Sequence, residues 1–398
     1  MSALDILFVV FDDMSAIEVE PITMPALYGL GTTGGARVYR RCYSMPVCSQ
    51  SRACMLYGKY GRHLVPPIIG GMGSLLGPEP ASGDVTVAQL LRDADYDTAL
   101  IGKWHGGRNP LGWTTPAYLG APEARGFDFW RAGVADNLDD WNLWERVEDD
   151  AVSTSSEYVG LAQLQAALEW WSSHESPRFM QVSLSLPHGP YHFPPADELG
   201  GFVSVAPSLN RQKYESEKRA ADWAFAQLLA TVGPSTAVVI VSDNGSPDNA
   251  RPPGSQPGRN KATAYEGGVR VPMAIRHPSL TPSYTDRLVH IVDIPATLLS
   301  MAGLEVPSDW DGKSLTGAAR SQALVEAQDG ASGGGHLVRA ALLDVGASHW
   351  KLLRTDTRPE ELYHLSTDPG EHTPLSLNDP ETAWILANLR AQLEYPAE

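Results

Sequence analysis

Short runs rich in Val, Ile, Leu and Phe at residues 6–11, 98–101, 179–186 and 237–241 constrain this chain more than any other feature. Strands apolar at nearly every position have both faces covered, the pattern of a parallel sheet flanked by helices. Segments with helical spacing of apolar residues lie at 85–94, 158–171 and 211–232. Strand and helix alternate, so the expected fold is α/β, with a large, mostly parallel sheet flanked by helices.

Asp293 just before Pro295 fits a capping residue and the first turn of a further helix. Beyond about residue 306 the composition shifts to Gly, Ser and Ala; 340–353 and 360–365 suggest short strands, and 381–393 a last helix. The expected division is a main α/β domain over 1–306 and a smaller C-terminal α+β subdomain over 307–398, with short antiparallel strands. Three long connections rich in Gly and Pro, at 61–83, 106–126 and 245–268, stand beside candidate site residues. Loops of that length in a compact domain are usually functional or disordered, and their placement favours function.

An open parallel sheet binds ligands beyond the carboxyl ends of its strands. The residues that follow the four runs are Asp12-Asp13, Lys103-Trp104-His105, His188 and Asp243-Asn244. Asp12, Asp13, Asp243 and Asn244 are all oxygen donors, which suits a hard cation such as calcium better than zinc or copper. Either pair alone is an ordinary turn sequence. Two pairs capping two buried runs favour a metal.

The segment Pro46-Val-Cys48-Ser-Gln-Ser-Arg52 leads into a helix expected from Ser51. Cys48 then lies by a helix N-terminus, where backbone N–H groups favour an anion, and Arg52 offers a fork of donors matched to a tetrahedral oxyanion.

Three cysteines, Cys42, Cys48 and Cys54, give neither a disulfide framework nor Cys-x-x-Cys pairs. The net charge of -17, from 30 Lys plus Arg against 47 Asp plus Glu, argues against nucleic acid and anionic membrane as partners. The first apolar run is far shorter than the roughly 20 residues of a membrane span and lacks a basic leader and a cleavage site, so a cytoplasmic location is expected.

Cys48-Ser-Gln-Ser-Arg52 followed by Gly58-Lys59 resembles the signature of type I sulfatases, in which the Cys becomes formylglycine. Residues 90–105, with Gly102-Lys103-Trp104-His105, resemble the second signature of that family. The similarity extends to Asp12-Asp13, Leu186-Pro-His188, Ser242-Asp243-Asn244-Gly245, Lys261 ahead of Tyr265-Glu-Gly-Gly-Val-Arg270, and Glu361-Leu-Tyr363 with Asp368-Pro-Gly-Glu371. It thus spans nearly the whole chain in order.

The resemblance implies an alkaline-phosphatase-like fold and hydrolysis of an aryl or carbohydrate sulfate ester. It implies one Ca2+ bound by Asp12, Asp13, Cys48 (as formylglycine), Asp243 and Asn244, and a formylglycine-generating enzyme as maturation partner. Arg52, Lys103 and Lys261 would surround the sulfate, three cations gathered against an acidic background. His188, with Lys261, would protonate the leaving oxygen, and His105 would take a proton from the remaining hydroxyl. His192 and Arg270 have weaker claims as loop supports. Trp104, Trp113, Tyr118, Trp130, Trp141 and Trp144 would either wall a sugar or aryl group or pack under loops.

The family's maturation motif has proline two residues after the Cys, where this chain has Gln50; Met55 and Tyr57 also depart from it. One alternative is therefore a silent binding protein whose Cys48 stays a thiol. Another is a phosphodiesterase or phosphonate monoester hydrolase, against which Asn244 argues, since a His there would suit a softer metal. The substrate's organic part and the oligomeric state are not legible in the sequence.

Overall fold

A computed structural model describes residues 4–32, 34–64, 84–105, 119–195, 204, 206, 208–329 and 336–394. Ten strands form one sheet: β1 (Ile6–Phe11), β2 (Arg37–Tyr43), β3 (Asp97–Lys103), β4 (Phe129–Val134), β5 (Trp144–Glu148), β6 (Ala151–Ser155), β7 (Arg178–Ser183), β8 (Ala237–Ser242), β9 (Arg270–Arg276) and β10 (Ser283–His290). Their order is β10-β2-β9-β8-β1-β7-β3-β4-β5-β6. The central block β8-β1-β7-β3-β4 is parallel throughout, and antiparallel pairs enter at β9 and at the β5 and β6 edge.

The unbroken apolar run of β1 has a direct physical cause. Ile6, Phe8 and Val10 enter one core with the helices Cys48–Tyr57 and Asp293–Ala302, while Leu7, Val9 and Phe11 enter a second core with the helices Val159–Ser173 and Leu209–Thr231. Successive side chains of a strand point to opposite faces, so a strand buried between two helical layers must be apolar at every position. Phe8→Ala would remove a fully buried ring at a cost of about 3–5 kcal/mol.

A second, antiparallel sheet holds β11 (Gln322–Asp329), β12 (His336–Val345), β13 (Ser348–Thr355) and β14 (Glu361–His364). One of its faces, with Val325, Leu342, Leu353 and Tyr363, packs on Tyr43, Tyr265 and Val269 of the large unit. Leu343 and Leu352 belong instead to the cluster that holds Ile385, Leu389 and Leu393 of the last helix, Ala383–Leu393.

Several boundaries differ from expectation. The helix expected from Ser51 begins at Cys48 itself. The run 179–186 leaves the strand after Ser183, although Leu184 N still donates to Val10 O. Asp293 opens its helix without capping it, because its carboxylate accepts from His290 N and Lys313 N and pairs with Arg320. The connection 245–268 is structured, with a 3-10 turn at Asp248–Ala250 and a short helix at Glu266–Val269. Most of the other two long connections, residues 65–83 and 106–118, lies outside the described residues, as do Trp113 and Tyr118. No helix among the described residues is long and apolar enough to cross a membrane.

Candidate active site

Because β8, β1, β7 and β3 are adjacent and parallel, their carboxyl ends open on one edge, which brings together Asp12, Asp13, Lys103, His105, His188, Asp243 and Asn244, while Trp104 turns into the core. Backbone bonds fix the turns to one another: Asp243 N donates to Phe11 O at 3.0 Å, Met14 N to Asn244 O at 2.9 Å and Asp12 N to Leu186 O at 3.2 Å. Gly245 packs so closely on Gly267 that a Cβ would meet its carbonyl oxygen, and its N–H donates to Gly268 O at 2.8 Å. The Asp-Asn-Gly turn is thus a fitted contact, which no larger residue could make.

Cys48 is the first residue of its helix, after Val47 in extended conformation. Its Sγ lies 3.6 Å from Asp12 Oδ1, 3.7 Å from Asp13 Oδ1 and 3.3 Å from Lys261 Nζ. Burial pushes the Cys48 thiol well above its ordinary pKa, and Asp243 and Asp12 push it further, against Lys261 and Lys103. An unmodified Cys48 is therefore a thiol at neutral pH, a weak nucleophile.

The acids and bases of the site interlock. Lys103 Nζ bonds Asp12 Oδ2 at 2.6 Å and Asn137 Oδ1 at 2.8 Å. Lys261 Nζ lies 2.5 Å from Asp13 Oδ1. Arg52 is turned onto Asp243 Oδ2, through Nε at 3.1 Å and Nη2 at 2.9 Å. Burial opposes ionisation of Asp12, but Lys103, His188, Arg52 and Lys261 outweigh it and hold its pKa well below the usual carboxylate range. Asp243 goes the other way, pushed up to about 6 by burial and by Asp12 despite Arg52.

Such a cluster fits a divalent cation. Donor atoms of Asp12, Asp13, Cys48 and His188 lie within 4.8 Å of one another. Asn244 Oδ1 is buried with no hydrogen-bond partner among the described residues, while its Nδ2 donates to Asp13 Oδ1 at 2.7 Å. A buried carbonyl oxygen without a donor costs on the order of 1–3 kcal/mol, and a cation would relieve it. The carboxylate-rich donor set suits a hard ion.

The two histidines differ in their partners. His188 Nδ1 is 2.7 Å from the carbonyl of Gly189, which can only accept, so Nδ1 carries the hydrogen and Nε2 is left 3.6 Å from Asp13 Oδ2. His105 Nε2 lies 3.0 Å from Asp136 Oδ1, and its buried Nδ1 has no partner among the described residues. Burial, with Lys103, lowers the pKa of both, that of His105 to about 4. Asp13, His105 and Ala262, beside Lys261, all have left-handed backbone, which concentrates strain on three loops of the site.

Sequence reasoning missed Asp136 and Asn137, which follow β4. That strand reads Phe-Trp-Arg-Ala-Gly-Val, and Arg131 hides it among the apolar runs. His192 is drawn into a separate cluster, stacked on Trp141 and 2.8 Å from Tyr158 OH, and Arg270 pairs with Glu266 at 3.1 Å. Trp104, Trp130, Trp141 and Trp144 are buried in the cores, so these four are packing residues.

Residues 5–304 match the sulfatase family model, and residues 259–397 match the model of the N-sulphoglucosamine sulphohydrolase C-terminal region. N-acetylgalactosamine-6-sulfatase of Sus scrofa is 26% identical over 404 residues, covering 84% of this chain and 74% of the relative. Ulvan-active sulfatase of Formosa agariphila is 26% identical over 303 residues, covering 68% of this chain and 55% of that protein. Among solved structures, Ps i-CgsB aligns with a TM-score of 0.80 at 19% identity, covering 98% of this chain and 92% of that one. Since the family model spans three quarters of the sequence and the strand-end residues converge as such a site requires, the chain belongs to the sulfatase family, has its alkaline-phosphatase-like fold and is a sulfuric ester hydrolase.

Proposed function

We propose that this chain removes sulfate from a sulfated carbohydrate, with position 48 oxidised to formylglycine and one calcium held by Asp12, Asp13, Asp243, Asn244 and residue 48. The observation that carries this reading is the setting of Cys48. Its thiol is buried among carboxylates that suppress the thiolate, beside Lys261 and at a helix N-terminus. Carbohydrate is favoured as the organic part by the names of the relatives, an N-acetylgalactosamine-6-sulfatase and an ulvan-active sulfatase. The catalytic α/β unit is taken to end near residue 306, with the remainder as the smaller C-terminal unit.

When present, formylglycine supplies an oxygen nucleophile with an exit route by elimination, and calcium supplies positive charge at the reacting sulfate. The side chains do the rest. Arg52, Lys103 and Lys261 place three cations around one tetrahedral anion, and such fixed charge is usually the largest catalytic contribution. Lys261 keeps its proton over the working range, because Asp13 outweighs the burial that opposes its charge. It thus serves chiefly as a fixed positive charge beside the leaving oxygen, and His188, once Nε2 is protonated, is the group that hands the proton over. His105 arrives with Nδ1 open and Nε2 facing Asp136, arranged to accept a proton.

A panel of sulfated monosaccharides and an aryl sulfate, run beside a phosphate diester with and without a calcium chelator, tests this reading. Sugar sulfates should turn over fastest and only with calcium. Faster cleavage of the phosphate diester would overturn it.

A further inference from the structure

We propose that Glu371, in the segment that follows β14, is a positioning residue for Lys261, so that the C-terminal unit sets the geometry of the sulfate site. This rests on the reading of Lys261 given above. Lys261 sits on a connection with few apolar residues; Lys261 N donates to Ser246 O at 2.9 Å and Ala262 N to Pro46 O at 3.0 Å, and the neighbouring Asn260 Nδ2 donates to Asp248 Oδ1 at 2.7 Å. A long cationic side chain on such a segment needs its flanks held if its Nζ is to stay near one atom.

Glu371 holds both flanks. On the upstream side Arg259, two residues before Lys261, donates through Nη1 to the backbone carbonyl of Glu371 and stacks on the Tyr265 ring at 4.4 Å. On the downstream side Glu371 Oε2 accepts from Glu266 N at 2.6 Å, at the start of the short helix Glu266–Val269. The other carboxylate oxygen lies 2.8 Å from Lys351 Nζ, which also reaches Glu266 Oε1 at 3.0 Å. Lys351 lies on β13, so the tie is rooted in the C-terminal sheet.

The turn that presents Glu371 is itself specified. Asp368 accepts from His372 N and Thr373 N, both at 2.9 Å, and Glu371 N donates to Asp368 O at 3.2 Å. Glu371 is held at φ 56° and is almost fully buried. A non-glycine residue in left-handed backbone, buried with its carboxyl group directed across an interface, is costly unless its reach is needed there. His372 adds a third link, 2.8 Å from Gln256 Nε2.

The test uses the full chain and compares Glu371→Asp, Glu371→Gln, Lys261→Ala and the double variant Lys261→Ala/Glu371→Asp on one aryl sulfate. Aspartate keeps the charge beside Lys351 and tolerates left-handed backbone but is a methylene too short for Glu266 N–H, so it should fold. It should lose about 10-fold in kcat with KM little changed, the scale of a misplaced catalytic group. Glutamine keeps both length and acceptor and should retain most of the wild-type kcat. The double variant should be no slower than Lys261→Ala alone, because both changes act through one side chain. Losses that multiply in the double variant, or a Glu371→Asp variant with wild-type kcat, would overturn the proposal. A Lys261→Ala variant with wild-type activity would instead overturn the reading of Lys261 on which it rests.

Discussion

Lys261 Nζ lies 3.3 Å from Cys48 Sγ, although 213 residues of chain separate the two. The contact brings a permanently charged donor to the atom where the reaction starts. Lys261→Ala should therefore lower kcat/KM by at least about 10²-fold, chiefly through kcat, if Lys261 stabilises charge in the transition state. A rise in KM with kcat untouched would reduce it to a substrate contact.

Asp243, a ligand of the proposed calcium, accepts from Asp13 N at 3.2 Å and from Arg52 on its other oxygen. Asp243→Ala should yield a folded protein with no bound calcium and no turnover, as read by elemental analysis and assay. Stoichiometric calcium in that variant would remove Asp243 from the ligand set.

Asp136 fixes which nitrogen of His105 is open, since Nε2 faces it at 3.0 Å. Asp136→Asn should leave KM near wild type and lower kcat by at least about 10-fold, a fraction of what a positioned base contributes. An unchanged kcat would show that His105 needs no orientation.

How much of this was legible in the sequence depended on the kind of signal. β1 and β8 announce themselves because both their faces are buried, and the pairs that follow them, Asp12-Asp13 and Asp243-Asn244, stand side by side at the strand ends as those runs imply. The start of the helix at Cys48 was misread by three residues because Val47 carries no capping side chain, so no Ser, Thr, Asp or Asn marks the boundary. β11 went unread because the alternation in Gln-Ala-Leu-Val-Glu-Ala-Gln-Asp follows a C-terminal sheet that packs on two different partners. The tie of Glu371 to Glu266 joins residues 105 apart in a pairing that no local pattern encodes.

His290, fully buried between Tyr60 and the Asp293 helix, supplies a pH test away from the site. Burial, with Arg320, holds its pKa well below the ordinary 6.5, while Nδ1 accepts from Val292 N at 3.1 Å. Its folded form is neutral, so the unfolded chain takes up a proton that the folded chain refuses. The stability it contributes is complete above pH 6.5 and declines as pH falls below it, by about 1.4 kcal/mol per pH unit at the steepest. His290→Asn keeps an acceptor for Val292 N–H and cannot titrate, so its urea midpoint should fall less steeply with acid than that of the wild type. Equal slopes would contradict the assignment.

The chemical state of position 48 decides most directly whether this site works as proposed. The peptide spanning Cys48 should be examined by mass spectrometry in samples whose sulfatase activity has been measured, with an aldehyde-reactive hydrazide as a second probe. Activity should track the fraction of the peptide in which the thiol has been replaced by an aldehyde, even though Gln50 stands where the maturation motif has proline. Full activity in a sample whose Cys48 is entirely thiol would contradict the formylglycine mechanism.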